Sequence, residues 1–162
     1  MREAIGGTWL TQLIILFMLI FVAFLALSLN YTKAFKIKNE VLTIIEKYEG
    51  LTDTEKGSIA IINNYLKSNG YSIMKTCPKG SYGVGNLSSS SIKEIGENDR
   101  NKYYYCVTKI KSSSSNTKDK VYYKVTLFLN FNLPVVGDLF TFDVNGTTGD
   151  VVYPQDSIKA VE

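Results

Sequence analysis

The hydrophobic pattern of this chain has three regimes: a long uncharged apolar run, an amphipathic stretch at helical spacing, and a polar remainder broken by short alternating segments. Ala4 to Thr32 is 29 residues without a charge. A hydrocarbon core about 30 Å thick takes roughly 20 apolar residues as a helix, and Leu10 to Leu29 supplies them. Trp9 and Tyr31 bracket that run at the depth amphipathic aromatics prefer. At 1.5 Å per residue they stand about 33 Å apart. Beyond them Ile37, Val41, Ile44, Ile45 and Tyr48 recur at three- and four-residue spacing, the period of a one-faced helix. Lys36, Glu40 and Lys47 lie off that stripe, and Lys36 with Glu40 is an opposite-charge pair one turn apart. No Pro interrupts the two stretches, so they predict one helix, ended by Gly50 in a left-handed C′ conformation.

A second helix is predicted after Thr52-Asp53-Thr54-Glu55, a capping-box sequence with Thr52 as N-cap. Ile59, Ile62 and Leu66 form its apolar face, with Tyr65 beside it, and Gly70 stops it. From Tyr71 the period shifts toward two. Tyr71-Ser72-Ile73-Met74 is a short strand candidate leading to Cys77. Residues 78–101 read as a long Gly- and Ser-rich loop, of the length that is often flexible or functional. Tyr103 to Ile110 is a strand carrying Cys106, and Ser112 to Asp119 a polar connection. In Val121–Phe131 one face holds Tyr123, Val125, Leu127, Leu129 and Phe131. The other holds Tyr122, Lys124, Thr126, Phe128 and Asn130. Leu133 to Asp138 is a turn, and Phe140, Phe142 and Val144 alternate along a return strand. Asn145-Gly146 and Thr148-Gly149-Asp150 are turn signals. Val151-Val152-Tyr153 is an edge-strand candidate before a frayed tail. The fold class is α+β: a long N-terminal transmembrane and stalk helix, then a small head with one helix packed on three or four antiparallel strands. The divisions are 1–32 for the anchor, 33–50 for the stalk and 51–162 for the head.

Composition narrows the chemistry. The 162 residues include no His, the commonest general base and metal ligand, but eleven Tyr and eight Phe. A net charge of +3 does not point to nucleic acid. That charge is uneven: residues 75–124 hold ten Lys or Arg against four acids, and from Asp138 onward five acids face only Lys159. A basic middle and an acidic end can attract each other between neighbouring copies, or form an ordinary mixed-charge surface. Cys77 and Cys106 are the only cysteines. In an exported domain such a pair forms a disulfide; in a cytosolic one they are two buried thiols. Two cysteines without His complete no zinc site, and no cofactor or metal is expected.

No catalytic constellation is present, and the chain is read as a non-enzyme. Gly80-Ser81-Tyr82-Gly83-Val84-Gly85 lacks the Lys-Ser/Thr pair and the following helix of a phosphate loop. Glu94, Glu97 and Asp99 are interleaved with Lys93, Arg100 and Lys102, as on a solvated surface. Tyr103-Tyr104-Tyr105 and Tyr122-Tyr123 form either an aromatic binding face or cross-strand pairs.

The apolar run is longer than a signal-peptide core, and Glu3 offsets Arg2. Ala26-Leu27-Ser28 nevertheless has the small-x-small form of a cleavage site; a retained anchor is the reading taken. Orientation signals conflict. Lys33, Lys36 and Lys38 follow the run, which by the positive-inside rule puts the head in the cytoplasm. The cysteine pair and the Ser-, Thr- and Tyr-rich head put it outside, with the N-terminus cytoplasmic, and that orientation is adopted.

Two segments carry a family resemblance. One is Gly6-Gly7-Thr8-Trp9 through to Lys38, including Asn30-Tyr31-Thr32-Lys33-Ala34-Phe35-Lys36-Ile37-Lys38. The other is Phe131-Asn132-Leu133-Pro134-Val135-Val136-Gly137-Asp138-Leu139-Phe140-Thr141-Phe142. With the anchor–stalk–head layout, they resemble TadE-like minor pilins and pseudopilins of the tight-adherence (Tad/Flp) branch of type IV pilus systems. The resemblance implies a pilin-like fold and a structural role in a surface filament or secretion apparatus. Its implied partners are the membrane, other pilin or pseudopilin subunits and the pilus assembly machinery. It also implies processing after Gly6 or Gly7. A cut after Gly7 puts Gln12 at the fifth mature position, where pilins carry Glu, and a cut after Gly6 puts Thr11 there. Gln12, Ala23 and Ala26 are the candidate helix-packing positions, since small residues let helices approach and a polar group in lipid gains from a partner. Ile37, Val41, Ile44 and Ile45 are expected to dock the stalk on its own head or on a neighbour. The competing reading is a signal-anchored extracytoplasmic module that holds a ligand with the 78–101 loop and the tyrosines.

Overall fold

The uncharged run and the amphipathic stretch form one helix, α1 (Arg2–Lys47), in a computed structural model that describes residues 2–112, 120–133, 137–152, 154, 156 and 158–159. Its 46 residues give a rod about 69 Å long at 1.5 Å per residue. Ala34, Ile37, Val41, Ile44 and Ile45 are all buried. The helix therefore enters the head at Ala34, and its second half is part of the head's own core. Fully burying a Val, Leu or Ile is worth about 2 kcal/mol, so this stripe alone fixes the helix to the head.

Helix α1 ends differently from the prediction. The Gly50 N–H donates to Ile45 O at 3.0 Å and the Glu49 N–H to Glu46 O at 3.2 Å, which makes Glu49 the C′ residue of a Schellman motif. Glu49 accordingly has φ 52°, and Gly50 follows at φ 135°. The cap fell one residue before the glycine because Gly50 answers a second demand. A Cβ there would stand 2.8 Å from the Tyr123 hydroxyl.

Helix α2 (Ser58–Ser68) starts six residues after Thr52, so the capping box does not form, and its N-cap is Gly57. Thr52 still serves the helix start. Its Oγ1 accepts from the Ser58 N–H at 2.9 Å, while the Thr52 N–H donates to Ser58 Oγ at 3.0 Å. This reciprocal pair closes an extra turn before the helix begins. Ile59, Ile62 and Leu66 are fully buried as predicted, and Gly70 ends the helix at φ 69°.

The sheet has five strands, one more than the upper expectation: β1 (Tyr82–Val84), β2 (Lys93–Glu94), β3 (Tyr105–Lys111), β4 (Val121–Leu133) and β5 (Gly137–Thr147), in the order β2-β1-β3-β4-β5. Every neighbouring pair is antiparallel. Strands β1 and β2, neither of them predicted, come from the 78–101 segment, which is woven into the fold rather than left as a loop, with Leu87 and Ile95 buried. Strands of two and three residues are too short to show a period. Tyr71 to Met74 is not a strand; the chain pairs only at Lys75, which bridges Tyr103.

Asn145-Gly146 is not a turn either. Both residues lie within β5, paired with Thr126 and Val125. A Cβ on Gly146 would stand 2.8 Å from Leu42 Cδ1 and 3.0 Å from Lys38 Cδ. The glycine marks where α1 crosses the sheet. The predicted turn at Leu133–Asp138 falls partly outside the described residues, at 134–136, as does most of the connection at 113–119; Tyr153 lies outside them too. Val151 bridges Val121.

The sheet is covered on both faces. The α1 and α2 side holds the main core, including Tyr105, Val107, Tyr123, Val125 and Leu127. The opposite side holds a second cluster of Cys77, Ile95, Tyr103, Cys106 and Phe128, with Ile73 against it. Phe128, on the otherwise polar face of β4, is buried for this reason.

Candidate functional site

Residues 7–29 of α1 form an apolar rod that the head leaves bare. Trp9 is 70% exposed and Tyr31 62%, and the most apolar stretch has no protein over it. This segment is long and apolar enough to cross a membrane. Gln12 lies on the bare rod, and Ala23 and Ala26 are partly covered only by their larger neighbours on the helix. Around Gly7 there is open space. Gly6 and Gly7 both lie within α1. Ile37, Val41, Ile44 and Ile45 pack inside the chain's own head, so of the two docking modes expected for the stalk, the chain uses the internal one.

Cys77 and Cys106 are joined in a disulfide, with Cα atoms 5.7 Å apart. Cys106 sits on β3 between Gly83 of β1 and Thr126 of β4. The bridge therefore ties the segment after α2 to the middle of the sheet. Gly83 belongs to the same arrangement: a Cβ there would meet the Tyr103 ring at 2.5 Å, so the ring sits against the glycine. Packing thus explains Gly83, and a left-handed φ of 75° explains Gly80.

Several tyrosines of the head are buried and bonded internally. Tyr71 donates to Tyr104 O at 2.8 Å and accepts from the Phe128 N–H at 2.6 Å. Tyr105 donates to Asn63 Oδ1 at 3.1 Å, and Tyr123 to Asp156. Burial pushes the Tyr71, Tyr105 and Tyr123 phenols well above their ordinary range, and the Asp156 carboxylate adds to the effect on Tyr123. Tyr71, Tyr103, Tyr105 and Tyr123 are thus core residues whose hydroxyls are satisfied, as buried tyrosines require, while Tyr104 and Tyr122 are half-buried.

Charges pair within the chain. Lys109 meets Asp156 at 2.7 Å and Lys75 meets Asp143 at 2.7 Å. Part of the attraction between the basic middle and the acidic end is therefore used inside one molecule. Ile158 is buried as well, so the described tail residues are held rather than frayed. In the 78–101 segment Lys79 pairs with Glu97, and Lys93 with Asp99 at 2.8 Å. The hydrogen bond from Lys93, then those from the Asn101 N–H and the Tyr103 hydroxyl, hold the Asp99 carboxyl down at about 2. Among the described residues no group of three or more Cys, Asp or Glu gathers as a metal site would.

A cleft of about 430 Å³ opens where α1 leaves the head, between the helix, the segment after α2 and the nearby parts of β4 and β5. Asn30 and Lys33 line it from the helix and Asn130 from β4. The side-chain oxygen of Asn130 is buried and, among the described residues, has no hydrogen-bond partner. Sequence reasoning missed this site, because residues 30, 33 and 130 are brought together only by the packing of β4 on α1. No family model, curated protein or solved structure matches this chain.

Proposed function

We propose that this chain is a structural, membrane-anchored subunit of the minor pilin or pseudopilin kind, resembling the TadE-like proteins of Tad-type pilus systems. Its N-terminus is cytoplasmic and its head extracytoplasmic, and it assembles through its N-terminal helix without catalysis. The observation that carries this reading is the division of labour along α1. One half is the core of the head, and the other stands bare and apolar. A rod rigidly continuous with a folded head suits a subunit whose helices pack side by side while the heads tile outside. On the bare half, Ala23 and Ala26 allow close helix approach, and Gln12 offers an interhelical hydrogen bond. The disulfide supports the outward orientation, since such bonds persist in oxidising compartments.

The test uses exposed positions, because Cys77 and Cys106 are buried. Lys102→Cys, with the native disulfide kept, is expected to react with a membrane-impermeant maleimide in intact cells. Reaction only after permeabilisation overturns the orientation. Ala23→Cys and Ala26→Cys are expected to give oxidative crosslinks to a second copy or another filament subunit. An uncrosslinked monomer at both positions overturns the assembly role.

A further inference from the structure

The cleft at the exit of α1 has the depth, charge and polarity of a phospholipid headgroup site. Depth comes first. With Leu10–Leu29 in the hydrocarbon core, the headgroup layer extends about 6 Å beyond it, which at 1.5 Å per residue corresponds to positions 30–33. Asn30 and Lys33, which line the cleft from the helix together with Ala34 and Ile37, fall within that layer.

Charge comes second. Among the described residues no Asp or Glu lines the cleft. Lys33 is exposed, and among the described residues it has no ion-pair partner. The site therefore favours an anion, and a Lys at the membrane surface is well placed for a lipid phosphate.

The third observation selects the headgroup. Asn130 Oδ1 is buried and unpartnered among the described residues, and such an acceptor is destabilising until it receives a hydrogen bond. Ethanolamine and glycerol headgroups carry N–H or O–H donors next to their phosphate, whereas choline carries none. Ile37, Leu129 and Phe142 belong to the apolar part of the wall, against which the glycerol backbone and the first acyl carbons can lie.

We propose that this cleft binds one phospholipid headgroup, its phosphodiester held by Lys33 and its ammonium or hydroxyl donating to Asn130. This rests on the membrane-anchored reading above. Bound there, the lipid sets the height and rotation of the head on the bilayer.

The full chain, purified in mild detergent, is offered an equimolar mixture of phosphatidylethanolamine, phosphatidylglycerol and phosphatidylcholine, and retained lipid is counted by native mass spectrometry. One donor-bearing lipid per chain is expected, favoured over phosphatidylcholine about fivefold, the effect of one hydrogen bond. Lys33→Gln, at an exposed position that does not threaten folding, should lower retention of all three lipids. Asn130→Leu should abolish the preference. Equal retention of the three lipids by the parent chain, or retention unchanged by Lys33→Gln, overturns the proposal. Displacement of the lipid by inorganic phosphate alone makes this a free-anion site and overturns the lipid assignment. Carbonate extraction of cell membranes separates the two levels. Release of the chain overturns both the anchor and the headgroup site. A chain that stays in the bilayer yet shows no headgroup preference overturns the site alone.

Discussion

Lys109 Nζ and Asp156 Oδ1 lie 2.7 Å apart with both side chains almost wholly shut off from water. Lys109 also donates to Ile158 O at 3.1 Å, and Asp156 accepts from the Tyr123 hydroxyl. Together these bonds tie the C-terminal tail to β3 and β4. Removing one member strands a buried charge, so Asp156→Ala is expected to destabilise the head by about 3–5 kcal/mol. Lys109→Met combined with Asp156→Leu should recover most of that loss, since an apolar replacement leaves no stranded charge. Chemical denaturation of the full chain in detergent, followed by near-UV circular dichroism, measures both. An Asp156→Ala variant as stable as the parent would show the pair to be incidental.

The disulfide joins residues 29 apart in sequence. On the chain-entropy model a closed loop of that size stabilises the folded state by about 3.5 kcal/mol. The Cys77→Ser, Cys106→Ser double variant should therefore lower the denaturation midpoint with the fold retained, because the Phe128 cluster and the sheet remain. Loss of cooperative unfolding in that variant would mean the bridge organises the second core rather than merely securing it.

Two glycines in close contact should respond differently to the same substitution. At Gly146 the new Cβ meets the end of the Leu42 side chain and the flexible stem of Lys38, which can move; at Gly83 it meets the ring of buried Tyr103. Overpacking costs about 1–3 kcal/mol where neighbours cannot yield. Gly83→Ala is expected in that range and Gly146→Ala below it, by the same denaturation assay. The reverse order would contradict the assigned packing of Tyr103 on β1.

Stability should fall at both pH extremes, through different groups. Asp99 is held at about 2 in the folded chain, below its unfolded value of about 3.9. Its contribution is therefore present above about pH 4 and disappears as pH falls toward the folded value. Tyr71, Tyr105 and Tyr123 are shifted upward. Their contribution is complete below the unfolded value of about 10 and is lost as pH rises above it. Asp99→Asn should flatten the acid limb of the midpoint-against-pH curve and leave the alkaline limb alone. An unchanged acid limb would exclude Asp99 as its source.

How much of this was legible depended on element length. The alternation in Val121–Phe131 was long enough to identify β4, and Ile59, Ile62 and Leu66 were enough to identify the buried face of α2. The candidate site was legible in half. Trp9 to Tyr31 is readable as an anchor because its signal is local, whereas the placing of Lys33 and Asn130 around one cleft leaves no local trace. Gly146 misled for a related reason. Asn-Gly is a strong turn signal, but a helix passing within van der Waals distance makes the same demand for a missing Cβ.

Periodicity and composition by themselves determined that an uncharged helix runs into an amphipathic one, that an α+β head follows, and that no His-based chemistry is available. These follow from backbone geometry and solvent preference, which act over a few residues at a time. Tertiary structure alone decided that the stalk's apolar stripe closes its own head, that residues 78–101 contribute two strands, and that Phe128 and Tyr103 cover the disulfide. It also decided that Lys109 meets Asp156. Each of these depends on contacts between residues far apart in the chain, whose free energy exists only once the sheet has brought them together.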